Sequence, residues 1–252
     1  MTGATITITY GESVENHVGN QQIGDRNDSG ISYSKLKTIE TTLKNKGYNC
    51  QFIDLKNLLD KKYTKDAEDA GILAVKDFVG TFFKSHTKSD QMFKDLIKLD
   101  WDKKALMKGR VVNKKARYNL CFADFDQNPD YASGKGRVYD FKKLDDLQKI
   151  RTFIEKLLNV DVNAEGNYYY DVNQCYIGFH GDTERRVVVG VRFGADFPLY
   201  YQWYQNSESI TDPYKINLEN GDLYFMSEKA VGTDWKKKNS LTLRHAAGFN
   251  LP

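Results

Sequence analysis

The chain has 252 residues and a formal net charge of +3, which is too small to indicate a polyanionic partner from the total charge alone. Its three cysteines, Cys50, Cys121 and Cys175, contain no CxxC pair, so neither a disulfide framework nor a thiolate zinc site is indicated. The sequence has no signal-peptide pattern and no apolar run of the roughly 18 residues that a membrane helix needs. These features predict a protein of the reducing cytoplasm with no membrane partner.

Strand and helix patterns alternate over the first hundred residues. The opening "TITITYG" alternates threonine with isoleucine, which predicts a strand, and a helix with Ser32 as its cap is expected to end at Gly47. The segment "AGILAVKDFVGTFF" is interpreted as a buried strand, and "SDQMFKDLIKLDW" as an amphipathic helix. We therefore predict an α/β unit over residues 1–108.

Residues 109–252 have a different character. The segment "KKLDDLQKIRTFIEKLL" carries the strongest helical periodicity in the chain. It is followed by many short strand candidates separated by glycine, asparagine and aspartate, a pattern typical of an antiparallel sandwich or jelly roll. The expected fold class is therefore α+β, with a jelly-roll domain preceded by the smaller α/β unit.

The segment "GFHGDTERR" places His180 two residues before Asp182. In a strand, residues two apart point to the same face, so this imidazole and this carboxylate can address one cation. The same spacing is also common in solvated, charged turns. The two residues alone therefore leave both interpretations open.

The surrounding motifs resemble those of the AlkB-like family of Fe(II)- and 2-oxoglutarate-dependent dioxygenases. In that family an Asn-x-Tyr precedes an Ile-Gly and then the His-x-Asp, and a Gly-Asp strand and an arginine-containing strand follow. The matching elements here are Asn167, Tyr169, Ile177, Gly178, His180 and Asp182, then Gly221, Asp222 and Leu223, and finally "KNSLTLR", Lys238 to Arg244. The resemblance covers roughly residues 110–248.

This resemblance implies a double-stranded β-helix (jelly-roll) oxygenase domain with Fe(II) as the metal and 2-oxoglutarate and oxygen as cosubstrates. His180 and Asp182 would be the catalytic pair that holds the iron. The carboxylates of 2-oxoglutarate would be bound by Asn167, Tyr169, Lys238 and Arg244. The implied reaction is hydroxylation of a C–H bond, or oxidative dealkylation where the bond belongs to an N-alkyl group, with release of succinate and carbon dioxide.

The third metal ligand is the point at which the chain departs from the family. The family places a histidine between the Gly-Asp strand and the arginine strand, whereas "SEKAVGTDWKKK" contains none. His245 is the remaining histidine candidate, Asp234 is the second option, and a site with only His180 and Asp182 as ligands is the third. Strand alternation turns His245 away from Arg244, so ligation by His245 is expected to need a bulge or a register shift.

A basic segment, "GRVVNKKAR", precedes the aromatic "YNLCF". Arg110, Lys115, Arg117 and Tyr118 are the predicted substrate-binding residues, because clustered cations beside an aromatic ring can hold a phosphate backbone and stack a base. A solvated loop is the alternative. The expected substrate is a nucleobase in DNA or RNA. The alternative functions are an iron-free nucleic-acid-binding module and a hydroxylase of proteins or small molecules.

Overall fold

The structure, a computed structural model, describes residues 3–251, which form a mixed α+β fold made mostly of strands. The strands are β1 (Thr5–Gly11), β2 (Val14–Glu15), β3 (Gln22–Ile23), β4 (Asn49–Asp54), β5 (Gly71–Lys76), β6 (Lys104–Met107), β7 (Arg110–Asn113), β8 (Tyr118–Ala123), β9 (Val138–Asp140), β10 (Asn163–Tyr169), β11 (Ile177–His180), β12 (Val189–Gly194), β13 (Leu199–Gln205), β14 (Glu208–Ser209), β15 (Tyr214–Ile216), β16 (Leu223–Met226) and β17 (Thr242–Ala247). The α-helices are α1 (Tyr33–Asn45), α2 (Lys61–Thr64), α3 (Phe78–Phe83), α4 (Lys88–Leu96), α5 (Asp145–Leu158) and α6 (Glu228–Val231). Short 3-10 helices cover Leu55–Leu58, Tyr131–Ser133 and Phe141–Lys143.

Two sheets form the body of the fold. The larger has eight strands in the order β4-β5-β16-β12-β1-β10-β8-β9, and all its pairings are antiparallel except that of β8 with β9. The smaller contains β11, β17, β13 and β14 in that order, with β15 also paired to β13. Two separate hairpins, β2-β3 and β6-β7, complete the pairing.

Strand β1 shows how sequence alternation separates the two faces of the large sheet. Its residues Ile6, Ile8 and Tyr10 are fully buried in a core cluster that also contains apolar residues of α1, α4 and α5. The alternating residues Thr7 and Thr9 point to the opposite face, where they line a cavity. The large sheet therefore has an apolar face covered by helices and a polar face that builds the site.

The smaller sheet packs against part of that second face. Leu199, Tyr201 and Trp203 of β13 share a buried cluster with Tyr224 and Met226 of β16. The sheets are thus joined by apolar contacts on one side, and the cavity opens between them on the other. None of the helices in residues 3–251 has the length and apolar character that crossing a bilayer requires.

The predicted division at residue 108 does not separate two sheets. Strand β1 lies between β10 and β12, and β5 pairs with β16, so strands from both sides of the predicted boundary alternate within one sheet. The reason is that the N-terminal strand pairs with partners more than 150 residues away in the sequence. Local patterns contain no information about such long-range pairing.

Several predicted elements are confirmed, and one is corrected. The helices expected after Ser32 and over residues 142–158 are present as α1 and α5, and Ser32 caps α1 by accepting a hydrogen bond from the Lys35 N–H. Only the first half of the buried strand predicted over residues 70–83 is present, as β5. It stops at Lys76, because Asp77 adopts the left-handed conformation with φ of 44° and starts helix α3.

Candidate metal site and cavity

Two neighbouring strands of the small sheet bring His180 and His245 together. His180 ends β11, and His245 lies directly opposite it on β17. The register of this pairing shifts between Ile177 and His180, whereas β17 keeps an unbroken register with β13, so His245 joins the group without a bulge in its own strand. Asp182 follows two residues later, where its N–H donates to the carbonyl oxygen of Val231. The strand pairing thus joins residues that are 65 positions apart in the sequence.

The three side chains converge on one point. The Oδ1 atom of Asp182 lies 3.5 Å from Nε2 of His180 and 3.6 Å from Nε2 of His245, and the two imidazole centroids are 4.4 Å apart. The Nδ1 atom of His180 is 2.8 Å from the carbonyl oxygen of Gly178. This contact requires the proton on Nδ1, so the lone pair of Nε2 is free to bind a metal.

The protonation preferences in the group suit a metal site. Burial raises the pKa of Asp182, but Arg185 and the two histidines outweigh that effect and hold the pKa well below its usual range. Burial and the neighbouring His180 lower the pKa of His245. A carboxylate beside a neutral imidazole is the protonation state that metal ligation requires.

His180, Asp182 and His245 can therefore hold a metal ion. One ligand atom from each residue lies within 4.8 Å of the others, and the side chain of His180 is 25% exposed to the cavity side. Asp234 is not part of this group, because its carboxylate is 2.8 Å from Nζ of Lys229. Among the options that the sequence leaves open for a third ligand, the structure brings His245 to the site.

A cavity of about 710 Å³ extends from the metal group to the surface. Its inner wall is the polar face of the large sheet, including Thr7, Thr9 and Asn167, and its rim contains Lys115 and Lys236. A space of this size can hold a small-molecule ligand.

Arg192 of β12 stands out in the cavity wall. Its side chain is almost fully buried, yet Nε and Nη1 have no hydrogen-bond acceptor within the described residues. Asp222 does not neutralise it through a hydrogen bond or ion pair, because that carboxylate is paired with Lys76 and accepts from the N–H groups of Asp77 and Glu219. A buried guanidinium keeps its charge, and unmatched N–H groups in a cavity are suited to a bound carboxylate.

Tyrosine hydroxyls surround this arginine. Burial lowers the pKa of Arg192, and the adjacent Tyr224 and Tyr169 counter that effect only in part. Burial also raises the pKa of Tyr169 and brings that of Tyr224 to about 12, so both hydroxyls stay protonated at neutral pH and can donate hydrogen bonds. The area around Arg192 is therefore rich in donors for an anion.

The structure places the four predicted cosubstrate-binding residues in two different regions. Asn167 and Tyr169 line the cavity as expected. Lys238 is exposed and outside the lining, and the guanidinium of Arg244 stacks 3.8 Å from the ring centroid of Tyr204. Strand β17 turns His245 toward the metal group and Arg244 toward the opposite side, so Lys238 and Arg244 both lie outside the cavity lining where they were expected.

The predicted substrate-binding residues are also divided. Lys115 and Arg117 line the cavity, and Nε of Arg117 donates to Oδ1 of Asn167 at 2.6 Å. Arg110 lies exposed on the β7 strand of a hairpin, outside the lining. Tyr118 is also outside it, since its ring stacks on Tyr170 with centroids 4.6 Å apart.

Two buried arginines that line the cavity were not predicted from the sequence. Arg192 stands alone among apolar residues in "VVVGVRFG", and Arg185 follows the His-x-Asp motif by three positions. A charged residue at an alternating position of an otherwise apolar strand was a usable signal for Arg192, because such a charge needs a partner on the inner face. No comparable signal distinguished Arg185 from its neighbour Arg186.

The fold and the site define the class: a mixed α+β protein, mostly strands, with a His/Asp/His group that can hold a metal ion. No protein-family model matches the chain. It is 49% identical over 245 residues to "Uncharacterized protein R156" of Acanthamoeba polyphaga mimivirus, an alignment that covers 97% of this chain and 95% of the relative. The chain belongs to the same family as that mimivirus protein.

Proposed function

We propose that the protein is an Fe(II)- and 2-oxoglutarate-dependent dioxygenase, related to the AlkB-like enzymes, whose two sheets form a double-stranded β-helix. The observation that carries this proposal is the combination of His180, Asp182 and His245 with the unpaired, buried Arg192 in one cavity. Two imidazoles and one carboxylate form the facial ligand set of non-haem Fe(II) oxygenases, which leaves coordination positions open. A buried cation in the same cavity supports a diacid as the cosubstrate.

The residues around Arg192 fit a carboxylate. In this proposal Arg192 binds the carboxylate of 2-oxoglutarate that is remote from the metal, through Nε and Nη1. Tyr169 and Tyr224 contribute neutral hydroxyl donors, and Thr7 lies directly opposite Arg192 in the sheet pairing. This set takes the place of Lys238 and Arg244, while Tyr169 keeps the role expected from the sequence.

The roles of the protein's own residues in this reaction are to bind the metal and to orient its ligands. Fe(II) and 2-oxoglutarate, when bound here, would supply oxygen activation: one oxygen atom would enter the substrate C–H bond, and the other would enter succinate as carbon dioxide leaves. His180, Asp182 and His245 hold the metal, and the hydrogen bond from His180 to Gly178 fixes the ring orientation.

The substrate class that we propose is a nucleobase in DNA or RNA. Lys115, Arg117 and Lys236 lie at or near the rim of the cavity, and Trp235 contributes an aromatic ring to the same lining. Cations that contact phosphates and an aromatic side chain that stacks on a base are the usual features of a single-strand binding surface. The alternative of an iron-free module was based on the lack of a third metal ligand. The position of His245 beside His180 and Asp182 gives less reason for that alternative.

The test is the conversion of 2-oxoglutarate to succinate by the purified protein with added Fe(II). Activity is expected in the parent protein and should disappear in His180→Ala and Asp182→Ala. Lys238→Ala is the matched control, because Lys238 lies outside the cavity and its removal should leave turnover unchanged. If the parent protein neither binds Fe(II) nor consumes 2-oxoglutarate, the proposal fails.

A further inference from the structure

Arg185 lines the cavity and forms an ion pair with Asp182 of the metal group. Its Nε atom donates a hydrogen bond to Oε1 of Glu184 at 2.9 Å and lies 3.4 Å from Oδ2 of Asp182 as an ion-pair contact, whereas Oδ1 of Asp182 faces the two histidines. The two oxygen atoms of Asp182 therefore have separate neighbours. One is directed to the position of a metal, and the other to a guanidinium.

Arg185 is itself held in place from two sides. Its Nη2 atom donates to Oε2 of Glu165 on β10 and to Oε1 of Glu184, both at 2.6 Å. The side chain is only 5% exposed. Gly11 makes room for it, because a Cβ atom at that position would lie 3.1 Å from Cδ of Arg185. The large sheet thus fixes the orientation of a side chain that contacts a ligand on the small sheet.

We infer that Arg185 is a positioning residue that keeps Asp182 a one-oxygen ligand and so preserves the open coordination positions of the metal. The inference rests on the proposed metal site. Without the guanidinium, Oδ2 of Asp182 would be free to rotate toward the metal and occupy a second position. Residues that orient a metal ligand in this way affect metal affinity as well as geometry.

The carboxylates around Arg185 distinguish arginine from lysine at this position. Asp182, Glu165 and Glu184 are three carboxylates with side chains 9–14% exposed, and all three contact this one guanidinium. A planar guanidinium can contact several carboxylates with different nitrogen atoms, whereas an ammonium group is a single point charge. Arg185→Lys therefore retains the charge but loses the simultaneous contacts.

The experiment measures binding of Co²⁺ to the metal-free protein and the visible absorption spectrum of the complex. Arg185→Lys should weaken Co²⁺ binding by about 10-fold or more. It should also change the spectrum, which reports the number and arrangement of ligands. Arg186→Lys is the matched control, because the neighbouring Arg186 pairs with Glu228 at 2.6 Å and lies outside the cavity lining. This control should bind Co²⁺ with the parent affinity and spectrum.

A second variant keeps the test decisive if Arg185→Lys does not fold. Glu165→Gln releases one side of Arg185 without touching Asp182, so it should shift the spectrum in the same direction and weaken binding less. Parent-like affinity and spectra in the variants that fold would overturn the inference and leave the proposed function standing. Absence of Co²⁺ binding in the parent protein would overturn both.

Discussion

Gly190 on β12 and Tyr224 on β16 lie directly opposite each other, and the Tyr224 ring covers the space that a side chain at position 190 would occupy. A Cβ atom on Gly190 would overlap the ring and hydroxyl of Tyr224. Because Tyr224 is buried and lines the cavity, the glycine at position 190 leaves the room that this ring needs in the cavity wall.

We expect Gly190→Ala to destabilise the protein by about 1–3 kcal/mol, the usual range for overpacking a filled interior. Urea denaturation followed by circular dichroism measures the change. Gly178→Ala is the control, because no heavy atom lies within 4 Å of the position of its Cβ, and its effect should stay below about 0.5 kcal/mol. Equal stabilities of the two variants would show that Tyr224 moves away without strain.

Metal binding should depend on His245 and not on Asp234. At a metal concentration 100 times the dissociation constant, bound metal stabilises a folded protein by about 2.7 kcal/mol. We expect this stabilisation in the parent protein and in Asp234→Ala, and its loss in His245→Ala. Thermal unfolding with and without Co²⁺ measures it. Retained stabilisation in His245→Ala, with loss in Asp234→Ala, would reassign the third ligand.

Arg192 should determine the affinity for 2-oxoglutarate. Arg192→Met removes the charge at similar volume, and loss of one partner from a buried charge pair weakens binding by about 2–5 kcal/mol. The ligand-free variant should be at least as stable as the parent, because a buried guanidinium whose Nε and Nη1 have no acceptor is replaced by an apolar group that can still pack on Phe197. Calorimetric titration of the metal-loaded protein with 2-oxoglutarate measures the affinity.

Lys238→Met serves as the matched control for Arg192→Met, since it removes an exposed positive charge away from the cavity. Its affinity for 2-oxoglutarate should equal that of the parent. The reverse outcome, with Lys238→Met impaired and Arg192→Met unaffected, would return the carboxylate site to the residues expected from the family resemblance.

Features that depend on local chemistry were accessible from the sequence. The alternation in "TITITYG" predicts both the strand and its two faces, and the spacing of His180 and Asp182 brings both to one site. The position of β1 in the middle of the large sheet was not accessible, because it depends on pairing with β10 and β12. The sequence also could not show which face of β17 lies toward the metal group, because that depends on the pairing of β17 with β11.

We expect the free energy of unfolding to depend on pH through the buried side chain of Lys114. Burial lowers its pKa from 10.5 to about 8, although Asp102 and Glu165 act in the opposite direction. The ammonium group donates to Oδ1 of Asn16 and of Asn119. Between pH 8 and pH 10.5 the unfolded chain binds this proton while the folded protein has released it, so the free energy of unfolding should rise with pH.

The comparison with Lys114→Met isolates this effect. From pH 8 to pH 10 the stability of the parent should rise relative to the variant by on the order of 2 kcal/mol. Urea denaturation at several pH values measures the difference, and Lys115→Met controls for the change in net charge at the exposed neighbouring position. A difference that stays constant over this range would mean that Lys114 keeps its proton in the folded protein.

Nucleic-acid binding at the rim of the cavity should weaken as the salt concentration rises. Lys115, Arg117 and Lys236 can each neutralise one phosphate, so the logarithm of the binding constant for a single-stranded oligonucleotide should fall linearly with the logarithm of salt concentration. Substituting any one of them by alanine should reduce that slope by roughly 0.7. Lys65→Ala, which removes an exposed charge outside the lining, should leave the slope unchanged. Fluorescence anisotropy measures both quantities, and weak binding that does not respond to salt would favour a protein or small molecule as the substrate.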